Sequence, residues 1–419
     1  MWLLLLACPP AHEDSTPDTE AVVETAPDTE LPPVDSEELP DAPELWAFSH
    51  EHGLVEEPFT LTVEALVEGL ELLYSTDGRE PTAPWPGSLE LNGTTVLRMA
   101  ATYEGEPVAH RAMTWVFPSQ VPAQAAPEDY PSQWWEAQEG GPYPADYSMD
   151  SKVVDAWSNS FPAVFDRLPT LSLVIPPESL FDPDTGIHEN AKEQGIDWER
   201  PVWAELFGAG EQGFEVACGI RIQGGAGRRA DRTPKKSFRL LFKKDYGPGK
   251  LDYPLFEGDE LGAYDTLVVR GRYNRSWGHY QHAQRARSLY MRERFALDLF
   301  RDMGHLASNS RQVHLYLNGL YWGIYLLEER PDANYLAARL GGVDTDYDVL
   351  NSTIPTDGDK LGWEDLMALV RSGLEGDEAW QSFTDLVDEE NLVDYLLLQL
   401  YLGNIDWPLQ NWYAAHRRD

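Results

Sequence analysis

Between residues 46 and 118 hydrophobic positions recur in short alternating runs: Leu61, Val63 and Ala65; Leu70, Leu72 and Tyr74; Val96, Arg98 and Ala100; Met113, Trp115 and Phe117. A period of two places one face of each run on a core, so these runs predict the antiparallel strands of a small β-sandwich. From residue 166 the pattern resumes in a larger unit. Leu171, Leu173 and Ile175 predict one strand; Phe214, Val216, Cys218, Ile220 and Ile222 a second; Lys236, Phe238, Leu240 and Phe242 a third; Leu267 to Val269 a fourth. Leu289, Arg292, Phe295, Leu299, Phe300 and Met303 have helical spacing, ended by Gly304. Asn318-Gly319, between Val313–Leu317 and Tyr321–Tyr325, predicts a hairpin. After Asp359 the chain reads as helical, and the nearly continuous apolar run Leu392 to Leu402 predicts a buried helix. Strands followed by helices argue for an α+β, bilobal main domain over residues 166–419.

The remaining segments lack either period. Residues 119–165 are rich in Pro, Gly and aromatics, among them Trp134, Trp135, Tyr143 and Tyr147, and read as an ordered arm laid over the main domain. Residues 9–45 contain no Lys or Arg, the first basic residue of the chain being Arg79. Such Pro-punctuated, like-charged sequence buries too little apolar area to offset its ordering entropy and predicts a disordered, extended tether. Before it, Met1-Trp2-Leu3-Leu4-Leu5-Leu6-Ala7-Cys8 reads as a lipoprotein-type leader over residues 1–8, although no Lys or Arg precedes the apolar run. Acylation at Cys8 would hold the domains at a membrane face, and the expected location is extracytoplasmic.

Charge narrows the function. Against 71 Asp and Glu stand 32 Lys and Arg, a formal charge of −39 over 419 residues. A molecule of that sign repels nucleic acid and anionic membranes, so contact with membrane is expected through the anchor alone. Two cysteines, Cys8 and Cys218, make neither a disulfide framework nor a zinc site. Nine basic residues nevertheless cluster in Arg221–Lys244 and nine in Arg270–Arg311. A local positive field inside an acidic chain predicts a small bound polyanion such as a nucleoside triphosphate.

In the first cluster, Gly224 and Gly225 open a loop between two strands, where backbone N–H groups approach phosphate oxygens closely. Strand parity puts Lys236 on the face of Phe238 and Leu240 and Lys235 on the other; an inward lysine needs an anionic partner, which makes Lys236 the candidate phosphate ligand. Near the end, Asp406 and Asn411 stand five apart directly after the apolar helix. In kinase catalytic loops an Asp at this spacing receives the substrate hydroxyl's proton and the Asn ligates Mg²⁺.

Two resemblances follow from these motifs. Tyr74-Ser75-Thr76-Asp77-Gly78-Arg79-Glu80-Pro81-Thr82 resembles the turn of chitobiase/hexosaminidase C-terminal-type, immunoglobulin-like modules, which implies an accessory spacer. Leu168–Gly186, Gly219–Phe242, Arg287–Met303, Val313–Glu329 and Asn404–Tyr413 together resemble the bacterial spore coat protein H (CotH) kinases, atypical relatives of protein kinases. That resemblance implies transfer of the ATP γ-phosphate, with Mg²⁺, to Ser/Thr hydroxyls of proteins. It also implies the roles: Asp406 as catalytic base; Lys236, Arg221 and Arg292 at the phosphates; Glu329 pairing with the lysine or metal; and Asn411 on the metal. A second metal-binding carboxylate is expected downstream of Asn411, whereas eight residues follow it, so the domain reads as truncated. The other reading is a non-catalytic surface protein whose β-module contacts glycan through exposed aromatics such as Trp85 or Trp115.

Overall fold

The computed structural model describes residues 1–5, 45–134, 142–161, 163–259, 262–404, 407–408 and 411–418. The tether expected over 9–45 therefore lies, except for Leu45, outside the described residues, as do Cys8 and Asp406.

The alternating runs of the first unit form the expected two sheets. One has three strands, Trp46–Phe48, Phe59–Ala65 and Ser88–Leu91; the other has five, including Leu70–Ser75, Thr95–Tyr103 and Glu106–Val116. Leu61, Leu97, Met99, Met113 and Trp115 close the space between them.

The main domain mixes helices and strands, as expected, and its strands close on themselves: β1 (Thr170–Val174), β2 (Arg200–Phe207), β3 (Phe214–Gln223), β4 (Ser237–Leu241), β5 (Thr266–Arg270), β6 (Ser310–Leu317) and β7 (Leu320–Glu329) form a barrel in the order β1-β2-β3-β4-β5-β7-β6. Every neighbour is antiparallel except the closing pair, β6 on β1, which is parallel. Closure leaves no free edge. Period-two side chains fill the interior, Leu171, Leu173, Cys218, Ile220, Phe238, Leu240, Leu267, Val269 and Leu327 among them. Cys218 is buried there as a small apolar residue, as its parity predicts. The β6–β7 turn has Asn318 at φ 47° and Gly319 at φ 79°, the left-handed pair that an Asn-Gly hairpin requires. Trp134 and Tyr147 of the preceding arm pack against the barrel core, while Trp157 is exposed.

Helix α1 (Arg292–Asp302) lies between β5 and β6. After β7 come α2 (Ala333–Leu340), a hairpin of β8 (Tyr347–Asn351) and β9 (Ile354–Asp357), then α3 (Leu361–Ser372), α4 (Asp377–Leu386), α5 (Glu389–Leu402) and β10 (Tyr413–Arg417). Asp388 caps α5 through the N–H of Asn391, and Gly403 ends it in the left-handed region. Burial of α5 is partial: Tyr395 and Leu398 face a core with Phe300, Leu350 and Ala414, but Leu400 and Tyr401 are 73% and 75% exposed. A nearly continuous apolar run thus hides a helix that buries one side only. Among the described residues no helix is long and apolar enough to cross a membrane.

The apolar run read as a leader is placed in this second core. Trp2–Leu5 pairs antiparallel with β10, from Trp2 opposite His416 to Leu5 opposite Tyr413. Trp2 is buried, stacked on His416 at 5.0 Å and edge-on to Trp363 at 5.2 Å, and the Leu4 N–H donates to Asn391 Oδ1 at 2.7 Å.

Candidate functional site

Strand β5 turns Leu267 and Val269 into the barrel, which leaves Val268 and Arg270 on the opposite face, toward α1. There Arg270 Nε stands 2.9 Å from Glu293 Oε1 of α1 and donates to Glu328 Oε1 of β7 at 2.7 Å, and Arg270 Nη2 donates to the same oxygen. Arg272 brings Nη1 to 4.0 Å from Glu293 Oε2 and lies over the Tyr290 ring at 5.4 Å. Two carboxylates and two guanidinia thus share a water-poor site. Each charge is costly there and is held by its neighbours. Burial pushes the Glu328 carboxyl up to about 7, against the pull of Arg270.

The cluster is incompletely satisfied. The Arg272 side chain is 8% exposed, yet its Nε and Nη2 have no hydrogen-bond partner among the described residues, and neither has Glu328 Oε2. Buried donors without acceptors are rare in folded proteins and mark strain or a missing ligand. Beside Arg270 and Glu328 lies a narrow cavity of about 20 Å³, room for one water, walled by Gln223, Arg270, Ser308, Glu328, Glu329, Arg330 and Tyr413. Tyr413 opens β10, two residues after Asn411. Asn411 is buried at φ 72°, with its backbone N–H on Ser352 Oγ at 3.1 Å and its side-chain Nδ2 without a partner among the described residues.

The residues expected from sequence distribute differently. Lys236 is buried as parity requires, but its Nζ donates to the carbonyls of Thr233 (3.0 Å) and Gly227 (3.3 Å), and burial lowers its pKa to about 7. These two carbonyls tie the lysine to the glycine loop, which it braces. Lys235, expected to point outward, lies over bare Gly323 and 5.9 Å above the Tyr325 ring, its pKa lowered by burial to about 8. The loop itself turns inward. Carbonyls of Gly224, Ile222 and Ala191 all accept from the Arg228 guanidinium, which closes the turn around Gly224 and Gly225 on a cation of the chain itself.

Arg221 is engaged by Glu199 at 2.5 Å, and Lys243 reaches the same carboxylate at 3.0 Å. Arg292 is exposed on the outer side of α1; the buried residue is its neighbour Glu293. Glu329 accepts from the Asn309 N–H at 2.7 Å and from Arg339, and so pairs with neither Lys236 nor the Arg270 cluster. Both glutamates line the cavity, and Glu328 is the one that accepts from Arg270. The helical spacing of Leu289, Arg292, Phe295, Leu299, Phe300 and Met303 takes in both the exposed and the buried side of α1. The spacing Glu293, Leu297, Phe300 is the face actually buried.

The β-module offers no aromatic platform at Trp115, which is 0% exposed, or at Trp85, which packs against Tyr74 at 5.4 Å with its indole nitrogen buried. Its contact with the barrel joins apolar clusters, Val116 with Phe207 and Val96 with Val174, to polar pairs: His52 Nδ1 lies 2.7 Å from Glu205 Oε1, Thr114 Oγ1 donates to Glu205 Oε2 at 2.6 Å, and Arg111 pairs with Glu215 at 2.6 Å.

Residues 220–419, from β3 to the end of the chain, match the family model described as CotH kinase protein. The match spans the Arg270 cluster, α1, β7 and Asn411. No curated protein matches the chain.

Proposed function

We propose that this protein is an ATP-dependent phosphotransferase acting on Ser/Thr hydroxyls of extracytoplasmic proteins, with its phosphate site at the Arg270 cluster. The observation that carries the reading is Arg272, a nearly buried guanidinium whose Nε and Nη2 have no hydrogen-bond partner among the described residues, set beside the Arg270–Glu293 ion pair of strand and helix. In protein kinases a strand cation paired with a helix glutamate orients the phosphates; Arg270 and Glu293 supply that pairing in this chain, with a planar fork in place of an ammonium.

The donor set fits Mg²⁺–ATP. Arg272 would hold phosphate oxygens, Arg270 would be fixed by Glu293 and Glu328, and Asn411 would offer its amide oxygen to the metal. Bound Mg²⁺–ATP supplies the transferable γ-phosphoryl group and the charge that offsets these arginines. Asp406, five residues before Asn411, would accept the proton of the attacking hydroxyl. The cavity of about 20 Å³ takes a polar ligand end and not a purine, so side chains around it must part for the rest of the nucleotide. The test is transfer of labelled γ-phosphate to a generic protein acceptor. Asp406→Ala and Asn411→Ala should each abolish it, and label persisting in Asp406→Ala would remove that residue from the mechanism.

The module resembling chitobiase C-terminal domains would act as a spacer. Lipid anchoring at Cys8 is part of the proposal for location, but one molecule cannot use residues 2–5 both ways, since removal of a leader takes the strand on β10 with it. N-terminal sequencing of the protein from its native membrane fraction decides between them.

A further inference from the structure

Helix α1 turns Glu293, Leu297 and Phe300 inward and leaves its other side uncovered. On that side Met291 and Phe295 are 64% and 53% exposed, and the loop before the helix adds Leu289 at 49% and Trp277 at 64%. These residues are contiguous: Trp277 packs on Tyr290 at 4.7 Å, and the Leu289 N–H donates to the Arg275 carbonyl at 3.3 Å. Arg287, Arg292 and Arg294 are exposed among them; Arg294 pairs with Asp298 at 3.2 Å, whereas Arg287 and Arg292 have no ion pair among the described residues. Four large apolar side chains set among arginines on one surface are more than scattered exposure explains, and such a surface fits a partner that is acidic and partly apolar.

The chain carries one. Between Pro9 and Glu44 stand twelve Asp and Glu, no Lys or Arg, and the apolar residues Val22, Val23, Leu31, Val34 and Leu39. Both ends of this stretch are fixed, Leu5 on β10 and Leu45 in the module core. The intervening chain, at roughly 3.3 Å per residue when extended, spans more than 100 Å and reaches α1 without strain. Joined to the same molecule, it meets the patch at an effective concentration on the order of millimolar.

We propose that the acidic segment Pro9–Glu44 docks in cis on the cationic, aromatic face formed by Trp277, Leu289, Met291, Arg292 and Phe295. Docking there covers the outer side of the helix whose inner side presents Glu293 to Arg270, so the segment braces that ion pair from behind. The proposal does not depend on the phosphotransferase reading, because the surface and its occupant are defined without nucleotide.

The test uses the full-length chain with photoreactive benzoylphenylalanine at position 295, and separately at position 277, irradiated without nucleotide and mapped by mass spectrometry. Intramolecular adducts should fall within residues 9–44. Their yield should drop about threefold or more between roughly 50 and 500 mM salt, because exposed charge pairs are screened over that range. Arg287→Glu combined with Arg292→Glu should lower the yield comparably while leaving the melting temperature unchanged. Adducts confined to the folded body, adducts to a second chain that grow with protein concentration, adducts to added anionic vesicles in place of the segment, or no adduct at either position would each overturn the proposal.

Discussion

Arg270 Nε lies 2.9 Å from Glu293 Oε1, joining the last residue of β5 to the second residue of α1 across the outer face of the barrel. Removing one member of such a pair leaves the other charged and buried. Arg270 keeps Glu328 as a partner, so Glu293→Gln should cost about 1–3 kcal/mol of stability, read as a lower urea midpoint. Arg270→Lys keeps the charge but not the fork, and should fall between wild type and Glu293→Gln in stability while weakening nucleotide binding. Equal stability of all three proteins would mean that the pair is not formed in solution.

Glu328 gives the cluster a pH signature. Its carboxyl is raised by burial from the usual 4.5 to about 7, so between those values the folded protein holds a proton that the unfolded chain has released. Stability contributed at this position is greatest below pH about 4.5 and is lost as pH rises toward about 7. Urea unfolding across this window should show a smaller decline for Glu328→Gln than for wild type. Parallel slopes would place Glu328 in a more polar setting.

Lys236 carries the opposite expectation. Burial lowers its pKa from 10.5 to about 7, so below pH about 7 the folded state bears a buried ammonium, and between those values stability rises with pH. Lys236→Met removes the desolvation cost and leaves two carbonyls unpaired. Relative to wild type it should be most favourable below pH about 7, and that advantage should shrink as pH rises toward 10.5. A steep rise that survives the substitution would assign the titration to another group.

His52 and Glu205 tie the β-module to the barrel. Burial opposes charge on His52, but the Glu205 carboxylate outweighs it and raises the pKa above 6.5. The stabilisation is fully present below pH 6.5 and fades as pH rises through the folded value. His52→Ala should thus lower the melting temperature more at pH 6 than at pH 8.5, and calorimetry should show the module melting earlier than the barrel. The same loss at both pH values would mean the histidine acts through packing alone.

Much of the strand content was legible because a half-buried strand alternates, and the runs through Leu171, Val216, Phe238 and Leu267 all form strands whose alternate side chains fill one core. Barrel closure was not, since pairing β6 parallel to β1 brings Thr170 against His314, far apart in sequence, and leaves no periodic trace. Lys236 was correctly read as buried; its partners were missed because backbone carbonyls have no sequence signature. Glu293 was missed for the converse reason. A charged residue on the inner face of a helix looks like a break in the apolar pattern, whereas Phe295, apolar and at helical spacing, is left exposed by the structure. Apolar continuity from Leu392 to Leu402 likewise concealed which side of α5 faces solvent.

Equilibrium binding of a fluorescent ATP analogue with Mg²⁺ separates phosphate binding at the Arg270 cluster, as proposed, from binding at Lys236. Arg272→Gln should weaken binding by about tenfold or more, equivalent to about 1.4 kcal/mol, while Lys236→Met should stay within about twofold of wild type. Loss of affinity in Lys236→Met with Arg272→Gln unchanged, or no binding by the wild-type chain, would contradict the proposal.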